Sequence, residues 1–235
     1  MVQYLTAAGL LADARVPIGR LEPGASSPDG ERLPSSSAQN VIPGIRATTS
    51  GSPPTVPWVT VVETERLLLR PWADDDVDAL ASVFAEPEVW RYPFGRAFSR
   101  EETERFLASK QAQWARYGFG SWAAVLKEDG RLIGYIGLAV PEWLPEVLPA
   151  VEVGYRLHPD HWGRGLATEG ASASLDYGFR TLALDRIIGI FTPENAASGR
   201  VMEKLGLRHR GMARDPQWKI PLVVREITRE DWLNA

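Results

Sequence analysis

A glycine-containing turn lies near the middle of the chain, between a run that alternates like a strand and a run with helical spacing. The alternating run is 151–157, and the turn at 162–168 reads Trp-Gly-Arg-Gly-Leu-Ala-Thr. The backbone N–H groups at the start of a helix have no partners within the helix and favour an anion such as phosphate. Gly163 and Gly165 let the backbone approach a bulky anion closely, and Arg164 adds a positive charge. The spacing therefore predicts a phosphate-binding turn.

The common nucleotide-binding loops do not match this turn. It lacks the Gly-Lys-Ser/Thr of a P-loop, and the third glycine of a dinucleotide fingerprint is not in place. Small residues recur in the predicted helix after the turn, so an ordinary tight turn with a close-packed helix is one alternative. A nucleotide-binding domain is a second alternative, and it rests on the turn alone.

Helices and strands alternate on both sides of the turn. A serine followed three residues later by Glu102 forms a capping box that predicts a helix from Ser99, and an Asp-Gly pair predicts a hairpin between 121–127 and 131–140. The other predicted strands are 65–71, 151–157, 186–191, 207–212 and 222–227, and the other predicted helices are 73–85, 163–181 and 196–205. Because a hairpin meander interrupts the alternation, we expect an α/β (mixed α+β) fold with a mixed sheet.

The first 56 residues differ in composition from the rest of the chain. Pro, Gly and Ser occupy 20 of these 56 positions, and Tyr4 is the one aromatic residue. Such a segment buries too little apolar surface to offset its ordering entropy, so we expect residues 1–56 to be a disordered leader. A docking segment is the alternative, with no motif to support it. Residues 57–235 are long enough to fold as one domain.

Composition also limits the class of protein. With no cysteine there is no disulfide framework, and three histidines, including the close pair His158 and His161, make a weak case for a metal; we predict none. A net charge of −4 and the lack of a long apolar run argue against nucleic-acid and membrane partners. The N-terminus lacks the basic region of a signal peptide, so we expect a cytoplasmic protein.

Several motifs occur in a fixed order around the turn. They are Trp-Gly-Arg-Gly-Leu-Ala-Thr-Glu at 162–169, Tyr-Gly-Phe at 177–179, Asn-Ala-Ala-Ser at 195–198 and Glu-Lys-Leu-Gly-Leu at 203–207. Together with Thr-Glu-Arg-Leu at 64–67, this order resembles the GNAT acetyltransferase superfamily, and within it the RimJ/RimL-type ribosomal-protein N-terminal acetyltransferases. The resemblance covers nearly the whole predicted domain.

The resemblance implies a mostly antiparallel central sheet flanked by helices, with a V-shaped opening between the central strands. It also implies acetyl-CoA as co-substrate, with its pyrophosphate on the amides of 163–168 and its pantetheine arm along the preceding strand. Asn195 would also contact the cofactor. The cofactor-binding residues implied are Tyr155, Arg156, Leu157, Trp162, Gly163, Arg164, Gly165, Leu166, Ala167, Thr168, Asn195 and Ser198.

Two positions depart from the family pattern. Trp162 stands where many relatives have Gln or Arg, a change that the RimJ/RimL branch tolerates. Met202 stands where many relatives have a tyrosine that protonates the departing thiolate. If the reaction requires a general acid, another residue has to supply it.

Glu152 and Ser198 are the catalytic candidates. Glu152 lies on the strand that the resemblance places beside the thioester, where a partly buried carboxylate could act as base; the alternative is a structural ion pair. Ser198 lies in the first turn of a helix and could donate to the thiolate, and its alternative role is helix capping around Asn195. Four aromatic residues could line the acceptor side, although most are expected in the core: Trp90, Tyr92, Trp114 and Trp122.

We therefore expect an N-acetyltransferase that transfers acetyl from acetyl-CoA to a primary amine by direct attack in a ternary complex, since no cysteine could form an acetyl-enzyme. The acceptor stays open between a protein N-terminal α-amine and a small molecule such as a polyamine or an aminoglycoside-like compound. A catalytically weak CoA-binding regulatory module is the alternative, and the protein could be a monomer or a homodimer.

Overall fold

The fold is an eight-stranded sheet with helices on both faces. It was obtained as a computed structural model, and the structure describes residues 60–93 and 95–235, so the predicted leader (1–56) lies outside the described residues. The strands follow one another in the order β1-β2-β3-β4-β5-β6-β8-β7. Their bounds are β1 Val62–Glu63, β2 Leu67–Arg70, β3 Ser121–Leu126, β4 Leu132–Ala139, β5 Glu152–Leu157, β6 Arg186–Phe191, β7 Arg208–Arg214 and β8 Pro221–Thr228.

The helices of the described residues fall on the two faces of this sheet. They are α1 Asp76–Phe84, α2 Arg100–Tyr117, α3 Leu166–Asp176, α4 Ala196–Lys204 and α5 Arg229–Leu233. Short 3-10 turns occupy Pro87–Trp90, Pro145–Val147 and Pro159–His161, and a π-helical turn at Tyr177–Thr181 extends α3. α1 and α2 pack together on one face, and α3 packs on β4 and β5 from the other face.

The central strands β5 and β6 form the one parallel pair of the described sheet, and they pair at a single register position. Glu152 is opposite Ile188, and the Ile188 N–H donates to the Val151 carbonyl at 2.9 Å. All other neighbouring strands are antiparallel. The mostly antiparallel sheet, flanked by helices and open between its central strands, confirms the predicted fold class.

The close approach of α3 to the sheet depends on a glycine. A Cβ atom built on Gly170 would lie 2.4 Å from Ile136 Cδ1, so a larger residue here would push the helix away from β4. Leu166, Ala171 and Leu175 fill the interface on either side, each at most 1% exposed. The small residues of α3 therefore serve helix–sheet packing, which was one of the alternatives drawn from the sequence.

Most predicted elements are present with shifted ends. The capping box at Ser99 is confirmed, with Glu102 N–H donating to Ser99 Oγ and Ser99 N–H to Glu102 Oε2. The helix predicted from Gly163 begins only at Leu166, because Gly165 adopts a left-handed conformation with φ of 80°. Strand β1, the 3-10 turns and α5 were not predicted; each is short, so few residues carry its periodicity. The π-helical turn completes the helix that was predicted to end at Thr181.

Gly134 and Gly154, on neighbouring strands, provide a matched test of the packing at β4 and β5. A Cβ on Gly134, whose φ is +140°, would lie 2.1 Å from the Arg156 carbonyl oxygen, whereas a Cβ on Gly154 meets no atom within 4 Å. We expect Gly134→Ala to lose roughly 1–3 kcal/mol of unfolding free energy or more. Gly154→Ala should stay within about 0.5 kcal/mol of wild type. Urea unfolding measures both, and equal losses would contradict this packing.

Candidate active site

A cavity of about 450 Å³ lies at the opening between β5 and β6. One wall is the 3-10 turn and the residues after it, from Glu88 to Tyr92. A second wall is the end of β5 with the turn that leads into α3, and the third is the end of β6 with the first two turns of α4. The lining residues are 88–89, 91–92, 155–157, 161–163, 165–168, 190–191, 194–198, 200–201 and 204. The cavity thus joins the predicted phosphate-binding turn to the predicted acceptor side.

The turn before α3 has the backbone geometry that an anion site needs. Gly163 and Gly165 have φ values of 72° and 80°, in the left-handed region that glycine tolerates best. Residues 165–168 line the cavity at the start of α3, where the first N–H groups have no helical acceptors. Trp162, half exposed, also lines the cavity, and its indole N–H donates to the Leu157 carbonyl at 2.8 Å. These residues stand together as the sequence predicted.

The positive charge at the cavity comes from other residues than the one predicted. The Arg164 guanidinium contacts the His161 ring at 3.3 Å and Glu128 at 3.7 Å, and its side chain does not belong to the cavity wall. Arg91, Arg200 and Lys204 line the cavity instead. The sequence does not assign Arg200 and Lys204 a role, because spacing alone does not separate an anion-binding helix face from a solvated one.

Thr64 and Arg66, near the start of the domain, hold the turn in place through Glu169 of α3. Glu169, in the first turn of α3, accepts hydrogen bonds from Thr64 Oγ1 at 2.5 Å, from the Arg66 N–H at 2.8 Å and from Arg66 Nε at 2.7 Å. Arg66 Nη1 also donates to the Arg164 carbonyl at 2.8 Å. Burial alone would raise the pKa of Glu169, but the hydrogen bonds from Thr64 and Arg66 lower it below its usual value. Sequence reasoning missed this brace, since its partners are about a hundred residues apart.

The two histidines near the turn do not form a metal site. His158 Nδ1 accepts the Asp160 N–H at 3.3 Å, and His161 lies in the cavity wall, where burial and then the charges of Arg131 and Arg164 lower its pKa. Within residues 60–93 and 95–235, no group of three or more His, Cys, Asp or Glu side chains is placed to hold a metal ion.

Asn195 and Ser198 meet Tyr155 across the opening. Asn195 Oδ1 accepts the Ser198 N–H at 3.2 Å and caps α4. The Ser198 hydroxyl is therefore not the capping group, and it hydrogen-bonds the Tyr155 hydroxyl at 3.0 Å, while the Tyr155 O–H also reaches the Ser198 carbonyl at 3.1 Å. Burial raises the pKa of Tyr155, and the negative charge of Glu152 adds to this shift, whereas the Ser198 hydrogen bond opposes it. The phenol therefore stays protonated at neutral pH.

Met202 lies in the core and not at the cavity. Its side chain is 2% exposed, and a Cβ on Gly189 of β6 would approach its Sδ atom to 2.7 Å. The hydroxyls of Tyr155 and Ser198 reach the cavity from β5 and α4. Two residues that carry hydroxyl groups therefore line the cavity without a tyrosine at position 202.

Glu152 lies at the base of the opening, below the cavity. It is 1% exposed, opposite Ala139 of β4 and Ile188 of β6, and it does not belong to the cavity wall. The regular register of β4 with β5 places Glu152, Gly154 and Arg156 on one face of the strand, as alternation predicted.

Arg156 connects the cofactor strand to the acceptor wall. Its guanidinium lies 4.1 Å from the centre of the Trp90 ring and donates to the carbonyl oxygens of Val89 and Tyr92. The resemblance implies that Arg156 contacts the cofactor; in the structure Arg156 lines the cavity, and its guanidinium also holds the wall formed by 88–92. The unsatisfied carbonyls of a 3-10 turn could not be recognised from the sequence, because the turn itself was missed.

The predicted acceptor-side aromatic residues separate into two groups. Tyr92 lines the cavity. Trp90 and Trp122 are completely buried, and Trp114 donates its indole N–H to the Ser121 carbonyl at 2.9 Å while it packs against Trp122. Trp90 and Trp122 thus lie in the core and Trp114 is partly buried beside them, and none of the three lines the cavity.

The fold is that of known acetyltransferases. Residues 66–208 match the family described as acetyltransferase (GNAT) domain. An uncharacterised N-acetyltransferase of Bacillus subtilis, YoaA, is 33% identical over 66% of this chain and 86% of its own length. The [ribosomal protein uS5]-alanine N-acetyltransferase of Escherichia coli is 27% identical over 72% of this chain and 91% of its own length. A crystal structure of an acetyltransferase from Agrobacterium tumefaciens aligns with a TM-score of 0.61, at 30% identity, over 72% of this chain and 94% of that one.

These matches show that the protein is an acyltransferase that transfers acetyl groups. The chain belongs to the GNAT family and is an N-acetyltransferase of that family. Members of this family use acetyl-CoA as co-substrate. In the described part of the chain, no helix is both long enough and apolar enough to span a bilayer.

The brace on the turn makes a prediction for Glu169→Gln. The change removes the carboxylate that holds Thr64 and Arg66, so we expect a loss of roughly 1–2 kcal/mol of unfolding free energy at pH 7. Because the folded state lowers the pKa of Glu169, its contribution is complete above the ordinary value of 4.5 and is lost as pH falls through the lower folded value. The difference between variant and wild type should therefore shrink below pH 4.5 in thermal unfolding.

Glu104→Gln is the matched control for this measurement. Glu104 is half exposed and pairs with Arg100 one helical turn away, so its loss should cost less than about 0.5 kcal/mol. A Glu169→Gln effect no larger than this, or one that grows toward low pH, would contradict the brace.

Proposed function

We propose that this N-acetyltransferase transfers acetyl from acetyl-CoA to the α-amine of a protein N-terminus, by direct attack of the amine in a ternary complex. The observation that carries the proposal is the single cavity that joins the turn at 163–168 to the wall at 88–92 through the opening between β5 and β6. A thioester held along this path and an amine from the other side meet at the opening. Direct attack requires that both substrates be held at once.

The residues around the cavity fit CoA. The amides of 163–168 suit the pyrophosphate, and the cations of Arg91, Arg200 and Lys204 add charge for further phosphates. Beyond its single pairing with β6, the β5 backbone faces the cavity, where it suits the amide groups of the pantetheine arm. When bound, acetyl-CoA supplies the activated acetyl group. The protein binds it, orients it and manages the protons.

An α-amine suits this site better than a lysine side chain. An α-amino group with a pKa of about 8 is roughly one-tenth neutral at pH 7, whereas a lysine near 10.4 is almost completely protonated. Glu88 and Glu194 line the cavity and attract the ammonium form. The uS5-alanine N-acetyltransferase among the relatives acts on such an α-amine, and this supports the same acceptor class here.

In this proposal Glu152 and Ser198 move the protons. Glu152 lies on the cofactor strand, two residues before Gly154, and takes a proton from the acceptor. The Ser198 hydroxyl, oriented by Tyr155, donates to the departing sulfur. Ser198 of α4 and Tyr155 of β5 belong to different elements, and both line the cavity.

Acetyl-CoA binding and acetyl transfer can be tested separately. We expect Gly165→Val to weaken acetyl-CoA binding at least about 10-fold in calorimetry, because the left-handed turn and its amides are disturbed. Gly130→Val is the matched control: Gly130 has a φ of 73°, with no atom within 4 Å of its Cβ position, but lies in the β3–β4 turn outside the cavity wall. It should strain the backbone equally and leave acetyl-CoA affinity unchanged.

The acceptor is tested by release of free CoA with peptides that begin with Ala or Ser, with polyamines and with aminoglycosides. We expect turnover with the peptides, and blocking their α-amine should abolish it. Faster turnover of the small amines would contradict the acceptor class. Binding of acetyl-CoA without turnover of any amine would instead indicate a CoA-binding regulatory module.

Arg156→Met tests the role of the acceptor wall. The change removes the contacts to the carbonyls of Val89 and Tyr92, so we expect the acceptor KM to rise roughly 10-fold. The acetyl-CoA dissociation constant should stay unchanged, because the guanidinium is held by the carbonyls of Val89 and Tyr92. Weakened acetyl-CoA binding with an unchanged acceptor KM would show that Arg156 serves the cofactor instead.

A further inference from the structure

Lys110 is completely buried in the middle of α2. Its exposed fraction is 0%, and its Nζ atom has no hydrogen-bond partner among the described residues. The nearest favourable contact is the Phe106 ring, whose centre lies 5.0 Å from Nζ, within the range of a cation–π interaction. Burying an ammonium group costs several kcal/mol, which a methionine of similar volume would avoid. Packing therefore does not account for a lysine at this position.

Glu152 of β5 is the partner in charge. Burial lowers the pKa of Lys110 to about 7, and the negative charge of Glu152 opposes this shift. Both side chains are at most 1% exposed. They are a pair of buried groups of opposite charge, one on α2 and the other on β5. We refer to it as the Lys110–Glu152 pair.

The surrounding elements contribute mostly apolar groups. α1 directs Phe84 against Phe106 at a ring distance of 4.9 Å, and β4 contributes Tyr135 at 5.3 Å. On β5, the negative charge of Glu152 also raises the pKa of Tyr155. The Arg156 guanidinium on the same strand face is held by the carbonyls of Val89 and Tyr92. The acids of α1 are engaged elsewhere, through the ion pairs Asp76–Arg70 and Asp78–Arg100.

Gly154 opens a space beside the pair. It lies between Glu152 and Arg156 on the same strand face, and a Cβ built on it would meet no atom within 4 Å. Gly154 is partly exposed, whereas Glu152 two residues earlier is buried. The space above Gly154 therefore adjoins Glu152 on one side and the Arg156-supported acceptor wall on the other. We expect an amine placed there to exchange a proton with Glu152, directly or through one water.

We propose that Lys110 is a positioning residue for acetyl transfer, whose buried ammonium keeps the Glu152 carboxylate ionised beneath the acceptor space. The inference rests on the proposed function, in which Glu152 is the base. The acceptor ammonium gives one proton to Glu152, and the neutral amine forms the C–N bond as the C–S bond breaks. Ser198 passes its hydroxyl proton to the departing sulfur and takes the second proton from nitrogen. Glu152 then releases its proton to solvent.

Lys110→Met separates this role from a structural one. Without the ammonium, the carboxylate binds its proton more tightly, so the acid limb of the kcat/KM profile should move up by about one pH unit or more. We expect turnover of an Ala-initiated peptide at pH 7 to fall roughly 10-fold or more. The acetyl-CoA dissociation constant should not change. Superimposable pH profiles of variant and wild type would overturn the proposal.

The same variant should be more stable than wild type. The folded state lowers the pKa of Lys110 from 10.5 to about 7, so the unfolded chain binds more protons between these values and wild-type stability rises with pH across this window. Lys110→Met removes this penalty, and its melting temperature at pH 7 should exceed that of wild type. A variant that melts lower and loses activity in proportion would indicate a structural role and overturn the proposal.

Lys127→Met is the matched control. Lys127 is a partly exposed lysine that pairs with Glu63 at 3.0 Å, far from α2 in the fold. Its removal should leave the pH profile unchanged. In a Glu152→Gln background, Lys110→Met should have little further effect on turnover, since it acts through the carboxylate; a full additional loss would overturn this route.

The pair can also be tested without turnover, which keeps this proposal distinct from the proposed function. The 13Cε resonance of Lys110 follows its protonation by NMR. We expect Glu152→Gln to lower the Lys110 pKa further below about 7, because the carboxylate charge that opposes burial is lost. An unchanged titration would show that the two groups do not interact and would overturn the proposal. An enzyme that acetylates no amine, but in which Glu152→Gln still shifts the Lys110 titration, would contradict the proposed function and leave only the interaction of the two groups.

Discussion

The separation of β5 from β6 is the constraint on which the rest of this structure depends. Parallel neighbours in a sheet usually pair along their full length, and unpaired backbone groups away from water are costly. Here the pair ends after Glu152 and Ile188, and the strands diverge around the cavity. The β5 backbone beyond this point requires another partner. In the proposed reaction, that partner is the pantetheine arm of acetyl-CoA.

In the proposed reaction, the two faces of the sheet support different substrates. On one face, α3 begins at the left-handed Gly165 and is held by the Glu169 contacts to Thr64 and Arg66, so its free N–H groups point into the cavity. On the other face, α1 and α2 pack against the sheet, and the 3-10 turn forms the cavity wall that the proposal assigns to the acceptor. Arg156 connects the two sides, because its backbone belongs to the cofactor strand and its guanidinium holds the wall. In the proposed reaction, a change at β5 therefore affects the binding of both substrates.

Much of this arrangement was predictable from the sequence, where the signals are local. The glycine turn, the capping box at Ser99 and the Asn195–Ser198 motif each lie within a few residues, and the structure contains all three elements. Alternation along 151–157 placed Glu152 and Arg156 on one strand face. The family followed from the order of these motifs, and the match of residues 66–208 confirms it.

The remainder depends on contacts between distant segments. Thr64 and Arg66 reach Glu169 across about a hundred residues, and Arg156 reaches carbonyls of a short 3-10 turn. Lys110 carried a signal that could have been recognised, since it follows Phe106 by one helical turn on the face that becomes buried. A lysine is usually assigned to solvent, because its burial is rare. The spacing of Phe106 and Lys110 is visible in the sequence. The proximity of Glu152, which lies on another element, is not.

Amide hydrogen exchange with and without acetyl-CoA tests the central claim most directly, because the claim concerns which backbone groups the cofactor occupies. The account predicts slower exchange in 153–157, in 163–168 and in the first turn of α4, with little change in the β7–β8 hairpin. Protection confined to other segments, with these three exchanging as in the free protein, would contradict the placement of the cofactor in the opening between β5 and β6.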